Sequence, residues 1–217
     1  MVSDPTLTPE LLLEIYAAGY FPMAESRHDE ALYWFSPEER GILPLESFHV
    51  PRSLMKFLKH SPFEIRFSTA FPEVIRACAE IPRHHESGTW INDTIIALYS
   101  ELWRQGHAHS VECWQEGELV GGLYGVAIGS AFFGESMFSR KVNASKTALC
   151  HLVHRLKHLG YHLLDTQYSN PHLLQFGCVE IPQKEYLQRL VSALRIEPAG
   201  SFGEQDAIPP GNQARLL

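Results

Sequence analysis

The sequence predicts a mixed α/β (α+β) fold: one sheet with flanking helices, preceded by a small N-terminal domain. Three observations predict it. Three strand-like runs joined by short turns follow one another, HSVECWQ, ELVGGLYGVAI and AFFGESMF. A long amphipathic helix pattern comes next, and an apolar strand and further helices come after that. Three meandering strands, a helix, a strand and a helix indicate a mixed sheet covered by helices.

The elements follow in order. Thr8-Pro9-Glu10 opens a helix: Thr8 caps, Pro9 fits the first turn and Glu10 suits the positive end of the dipole. Leu11, Leu12, Ile15 and Ala18 recur at helical spacing, and Gly19 can close the helix. GYFPM then reads as a short apolar turn, and residues 25–30 as a polar loop. Prolines 37, 44, 51 and 62 punctuate the next section, so the N-terminal domain is placed at 1–40, with its boundary anywhere from 36 to 62, and the main domain at 41–217. Arg52 to His60 reads as a short helix with Leu54, Phe57 and Leu58 inward. Phe63 to Phe67 alternates as a strand, and Pro72 to Glu80 reads as a helix.

Asn92 or Asp93 can cap the next helix, whose stripe is Ile95, Ile96, Tyr99, Leu102 and Trp103. After the meander, Ala144 to Leu159 is the best-formed helix pattern, ended by Gly160. Tyr161 to Thr166 has the near-continuous apolar centre of a central strand. Asn170-Pro171 begins a helix stopped by Gly177, and Pro182 to Leu194 is a last amphipathic helix. From Glu197 onward the composition predicts a loose tail.

Composition narrows the function classes. The 217 residues are 45% hydrophobic and 20% charged, with net charge −7, an ordinary globular balance. A chain this acidic does not coat nucleic acid by charge alone, so any such contact is local. Four widely spaced cysteines, without C-x-x-C, argue against a zinc ribbon or a disulfide framework. With no basic and apolar leader and no membrane-length apolar run, a cytoplasmic location is expected.

The chemistry gathers between Gly134 and Asn170. Glu135 lies inside one strand, while Asp165 and Gln167 stand two apart at the end of another, which puts them on a shared face if the strand stays regular. An acid and an amide aimed together suit a site; a capped strand end is the plainer alternative. Trp90, between a polar loop and a helix start, suits stacking on a base or simple packing. Asn170 is also a natural helix cap. Arg52, Lys56 and Lys59 form the clearest basic patch, with a solvated helix face as its plain alternative. The pairs His84-His85 and His107-x-His109 lack a third ligand at a convincing spacing, so no metal is expected. No G-x-S-x-G elbow is present.

The order of strands and helices resembles the acetyltransferase-like fold of the GNAT superfamily. Those enzymes hold the CoA pyrophosphate on a glycine-rich loop before the main helix. Here that loop is SRKVNAS, without glycine, so no CoA and no other cofactor is expected.

A closer resemblance rests on GYFPM, RSLMKF, GTWI, GHAHSVECW, ELVGGLYGV, FFGESMFSR, NASKTALCHL, LLDTQYSNPHL and GCVEIP, in that order from about Leu11 to about Leu190. It is to the leucyl/phenylalanyl-tRNA–protein transferases, and GESMFSR followed by NASKTAL is its most specific part. The resemblance implies transfer of Leu or Phe from aminoacyl-tRNA to the N-terminal amine of proteins beginning with Arg or Lys, a tag for N-end rule degradation. An apolar donor pocket separates similar side chains by only about 1–3 kcal/mol, which admits Met as a third donor.

By resemblance, the catalytic residues are Asp165 and Gln167. The substrate-binding residues are Trp90, Glu135, Asn170 and Met23, with an aminoacyl pocket of Leu123, Phe132 and Met137. Strict alternation separates Phe132 from Glu135, and a bulge at Gly134 would reconcile them. Phosphate contacts are assigned to Arg52, Lys56, Lys59, Arg140, Lys141 and Lys146. The expected partners are aminoacyl-tRNA and acceptor N-termini, with the enzyme a monomer and no membrane contact. The chain departs from the family pattern at Met23, where the family has Trp, in lacking the glycine-rich segment before the first helix, and in much of the tail. A CoA-dependent acyltransferase and a non-catalytic tRNA-end binding module are the competing classes.

Overall fold

The computed structural model describes residues 7–24, 27, 31–80, 89–203 and 207–216. Helix α1, Pro9–Ala17, starts where Thr8 accepts the Leu11 N–H on its hydroxyl at 3.2 Å. The expected turn at GYFPM is instead a strand, β1 (Phe21–Met23), paired antiparallel with β2 (Tyr33–Phe35). Strand β3 (Glu39–Ile42), helix α2 (Arg52–Leu58), strand β4 (Glu64–Phe67) and helices α3 (Phe71–Glu80) and α4 (Asp93–Arg104) follow. Asn92 caps α4 by accepting the Ile95 N–H at 2.8 Å.

The predicted meander is β5 (Ala108–Gln115), β6 (Glu118–Ile128) and β7 (Ala131–Ser139). Helix α5 (Ala144–His158), strand β8 (Leu163–Gln167), helix α6 (Pro171–Leu174), strand β9 (Val179–Pro182) and helix α7 (Gln183–Ala193) complete the order, before a short 3₁₀ turn at Gln213–Leu216.

The main sheet runs β4-β5-β6-β7-β8-β3-β9, with β7 and β8 parallel and the other pairs antiparallel. The central strand expected at 161–166 is β8, which lies inside the sheet. Strands β3 and β9 are not anticipated by the sequence pattern, for a physical reason: β3 buries a charged residue, Arg40, and β9 is an edge strand that alternates little and ends at a proline.

Side chains alternate across the sheet and feed two cores. On β6, Tyr124 and Val126 join α1, α3, α4 and α7 on one face; Leu123 and Ala127 join α2 and α5 on the other. The N-terminal residues Leu12, Tyr16 and Phe21 are fully buried in the first of these cores. The tail expected to be loose is tied down. Ile208 and Gly211 bridge to Ile65 and Ser61, and buried Gln213 donates to the Phe63 carbonyl at 2.7 Å while bonding His151. A polar residue that satisfies buried groups looks, in sequence, like a solvated one. Most of the 25–30 loop, and all of the 83–88 loop with His84 and His85, lie outside the described residues. Among the described residues, no helix is long and apolar enough to cross a membrane.

Candidate active site

The sheet opens at one seam. Strands β7 and β8 pair through Ala131–Leu163, Phe132–Leu164 and Phe133–Asp165, and then part, although β7 continues to Ser139 and β8 to Gln167. A cavity of about 590 Å³ occupies the gap. Gly134 to Ser139 line one side, and Leu164, Thr166, Gln167 and Tyr168 the other. Leu149 and Leu152 of α5 and Leu123 of β6 add apolar wall, while Met23 and Trp90 border it as well.

Glu135 stands at the junction. Its Oε1 accepts from the Tyr16 hydroxyl at 2.7 Å and from Gln167 Nε2 at 3.0 Å, and its Oε2 from the Tyr99 hydroxyl at 3.4 Å. The two phenols also bond each other. Burial raises the Glu135 carboxyl from 4.5 to about 7, outweighing the hydrogen bonds from Tyr16 and Gln167 that favour its charged form. Burial, and then the carboxyl itself, raises both phenols well above their ordinary value, which keeps them as donors. A buried carboxyl titrating near neutrality, beside a cavity, suits proton exchange with an amine.

Asp165 takes a different place from the one the strand pattern predicts. Arg40 Nε and Nη2 bind its carboxylate at 2.9 and 2.7 Å, and the Tyr186 hydroxyl donates to it at 2.7 Å. The guanidinium lies 4.5 Å from the ring centres of both Phe21 and Tyr186 and donates to the Gly19 carbonyl. Asp165 is therefore fully buried behind the cavity and does not line it.

Regular alternation fails at Gln167, whose φ is +65°. The Tyr168 N–H bonds the Thr166 carbonyl at 2.7 Å, closing a three-residue turn around Gln167. A positive φ is unfavourable for a glutamine and persists only when its surroundings hold it. Here Asp165 Oδ1 accepts the Gln167 N–H at 2.8 Å. Gly41 permits the crossing, since a Cβ there would stand 2.6 Å from the backbone of Tyr168. The turn sends Gln167 into the cavity while Asp165 stays with Arg40. The expectation that the two side chains share a face and are aimed together is corrected accordingly.

The other expected residues divide in the same way. Met23, Trp90, Leu123, Glu135, Met137 and Asn170 line the cavity. Asn170 is also the cap of α6, accepting the Leu173 N–H at 2.9 Å. Phe132 does not line it: it is fully buried against Tyr161 and Phe202. The bulge foreseen at Gly134 falls one residue on, since Gly125 faces Gly134 while Tyr124 faces Ser136. Glu135 is thus the extra residue, and the bulge leaves it opposite Phe132 while returning Met137 to the Leu123 side.

Leu149, Leu152, Leu164 and Leu173 also line the cavity and are not among the expected site residues. Tyr16, Tyr99, Arg40 and Tyr186 escape sequence reasoning as site partners; the tyrosines sit on apolar helix faces, where a hydroxyl gives no periodic signal.

The basic residues are spread out. Arg52, Lys56 and Lys59 lie on and just after α2, Arg140 and Lys141 are exposed on the turn after β7, and Lys146 donates to Gln175 at 3.1 Å. In that turn, Ser139 Oγ accepts the Ser145 N–H at 3.3 Å, so one first-turn donor of α5 is used internally.

Comparison with known proteins shows the family. The family model for leucyl/phenylalanyl-tRNA protein transferase matches residues 42–191, and that for its N-terminal domain matches residues 6–38. A leucyl/phenylalanyl-tRNA–protein transferase of Paramagnetospirillum magneticum is 58% identical, over 87% of this chain and 90% of its own. One of Rhodospirillum rubrum is 54% identical, over 88% and 89%. A split sheet holding an apolar cavity with a carboxyl and an amide at its head, together with these relatives, defines an aminoacyltransferase. The chain belongs to the leucyl/phenylalanyl-tRNA–protein transferase family.

Proposed function

We propose that the enzyme transfers Leu or Phe, and Met more weakly, from aminoacyl-tRNA to the N-terminal α-amine of proteins beginning with Arg or Lys. The product is a substrate for N-end rule degradation, and the reaction runs in the cytoplasm on a monomeric enzyme. The observation that carries this is the cavity itself: an apolar hole whose polar end is the hydrogen-bonded pair Glu135 and Gln167.

The donor side chain occupies the space among Leu123, Met137, Leu149 and Leu152, and its ester lies toward Gln167. Met23 and Trp90 flank the terminal adenosine. The acceptor amine has a pKa near 8 and must shed a proton before it can attack. Glu135, titrating near 7, takes that proton. Gln167 spends its amide N–H on Glu135, leaving the amide oxygen to aim an N–H of the amine. The amine nitrogen bonds the ester carbon, the bond to the ribose oxygen breaks, and that oxygen leaves with the amine's remaining surplus proton. Asp165 does not meet substrate; it holds the turn at Gln167 and is a positioning residue.

The direct test is transfer of labelled Phe from Phe-tRNA to an Arg-starting peptide. Wild type incorporates label, and Gln167→Ala loses at least about a hundredfold in kcat. Absence of transfer by folded wild type with several acceptors would overturn the proposal. Leu152→Phe, which narrows the hole, is expected to depress Phe transfer more than Leu transfer, read as the ratio of the two kcat/KM values.

A further inference from the structure

A second cleft, of about 480 Å³, lies on the α3–α4 side of the sheet and is lined by Arg27, Arg76 and Arg104, with Glu80, Asp93 and Ser100. The three guanidinium groups come from separate segments of a chain whose net charge is −7. Two carboxylates, Glu80 and Asp93, share the cleft with them, and one of the three arginines is itself paired. Arg104 pairs with Glu101 at 2.6 Å, Glu80 reaches Arg140 at 3.8 Å, and Asp93 stands in the first turn of α4, where the helix dipole favours it. Among the described residues no ion pair engages Arg27 or Arg76. Arginines lining one cleft suit a phosphate ester, which each can meet with paired N–H donors.

The cleft and the cavity are joined by short stretches of chain. Arg27 is four residues beyond Met23, α4 begins three residues after Trp90, and both Met23 and Trp90 line the cavity. Arg140, which meets Glu80, directly follows Ser139 at the end of β7.

We infer that Arg27, Arg76 and Arg104 bind a phosphodiester of the donor RNA's 3′ strand where it leaves the cavity, on the face of the sheet opposite α2. The inference rests on the aminoacyl-tRNA donor reading. Its work is in binding: a phosphate contact holds donor and transition state alike, so it lowers KM and leaves kcat unchanged.

The test compares Phe-tRNA with phenylalanyl-adenosine, which presents the same ester without a phosphodiester. For Arg27→Ala/Arg76→Ala, the KM for Phe-tRNA is expected to rise about tenfold at unchanged kcat. The slope of log KM against log salt becomes shallower by about one for each phosphate no longer engaged. Phenylalanyl-adenosine kinetics stay at wild-type values, and Arg76→Glu raises the Phe-tRNA KM further. An unchanged KM and salt slope for Phe-tRNA would overturn the inference, as would equal slowing with both donors, which marks a structural effect. Wild type inactive with both donors would instead bring down the donor reading on which it rests.

Discussion

Glu135→Gln is expected to lower transfer by roughly 10²–10⁴-fold and to change the position of the pH profile as well as its height. In the wild type, Glu135 must be ionised to take the proton of the acceptor ammonium, so the rise in rate follows the Glu135 titration near 7 rather than the amine's own near 8. Log kcat/KM should therefore climb with a slope of about one below pH 7 and flatten above it. The glutamine variant depends on amine that has already lost its proton to solvent, so its rise keeps a slope of about one but moves up toward pH 8. An unchanged profile with the rate merely scaled down would remove Glu135 as the proton acceptor.

Stability should move too, and its sign is set by the direction of the shift. The folded carboxyl holds its proton up to about 7, whereas the unfolded one releases it near 4.5. Between these values the folded state binds more protons. The stabilising contribution is thus complete below about pH 4.5 and is lost as pH rises through 7, to a limit on the order of 3 kcal/mol. Denaturation midpoints of wild type and Glu135→Gln, followed from pH 5 to 8, should run with different slopes, only the wild type carrying this loss.

Arg40→Ala is expected to destabilise the fold by about 3–5 kcal/mol, since it leaves a fully buried carboxylate without its cation. The loss extends to packing, because the guanidinium lies between the rings of Phe21 and Tyr186. Equilibrium urea denaturation measures this directly. Arg40→Met combined with Asp165→Asn should recover part of the stability: the asparagine oxygen can still accept the Gln167 N–H, and no buried charge remains at that position. If the single variant were as stable as wild type, the ion pair would have no part in holding the turn beneath Gln167.

Much of the fold was legible because its elements obey local rules. The caps at Thr8 and Asn92, the stripe on α5 and the meander of β5 to β7 all follow from short-range pattern. The site was legible only as residue types. Gln167 stands out in the sequence, but its positive φ does not, because nothing about a glutamine announces that conformation. Phe132 shares the side of the sheet that Leu123 and Met137 present, but it stands where β7 and β8 are still paired, packed on Tyr161 and Phe202, short of the point where the seam opens. The partners of the two acids lie 119 and 125 residues away in the chain, at Tyr16 and Arg40, and no periodicity connects such positions.

Those long separations bear on how the chain can be cut. Tyr16 and the Gly19 carbonyl come from α1 and the residues just after it, and Arg40 precedes the point where the main family match begins at 42. A fragment trimmed to that match would lose the Tyr16 bond to Glu135 and the Arg40 pairing of Asp165, leaving each acid with fewer partners. Tyr16, Gly19 and Arg40, all ahead of the main match, therefore brace the two buried acids from behind.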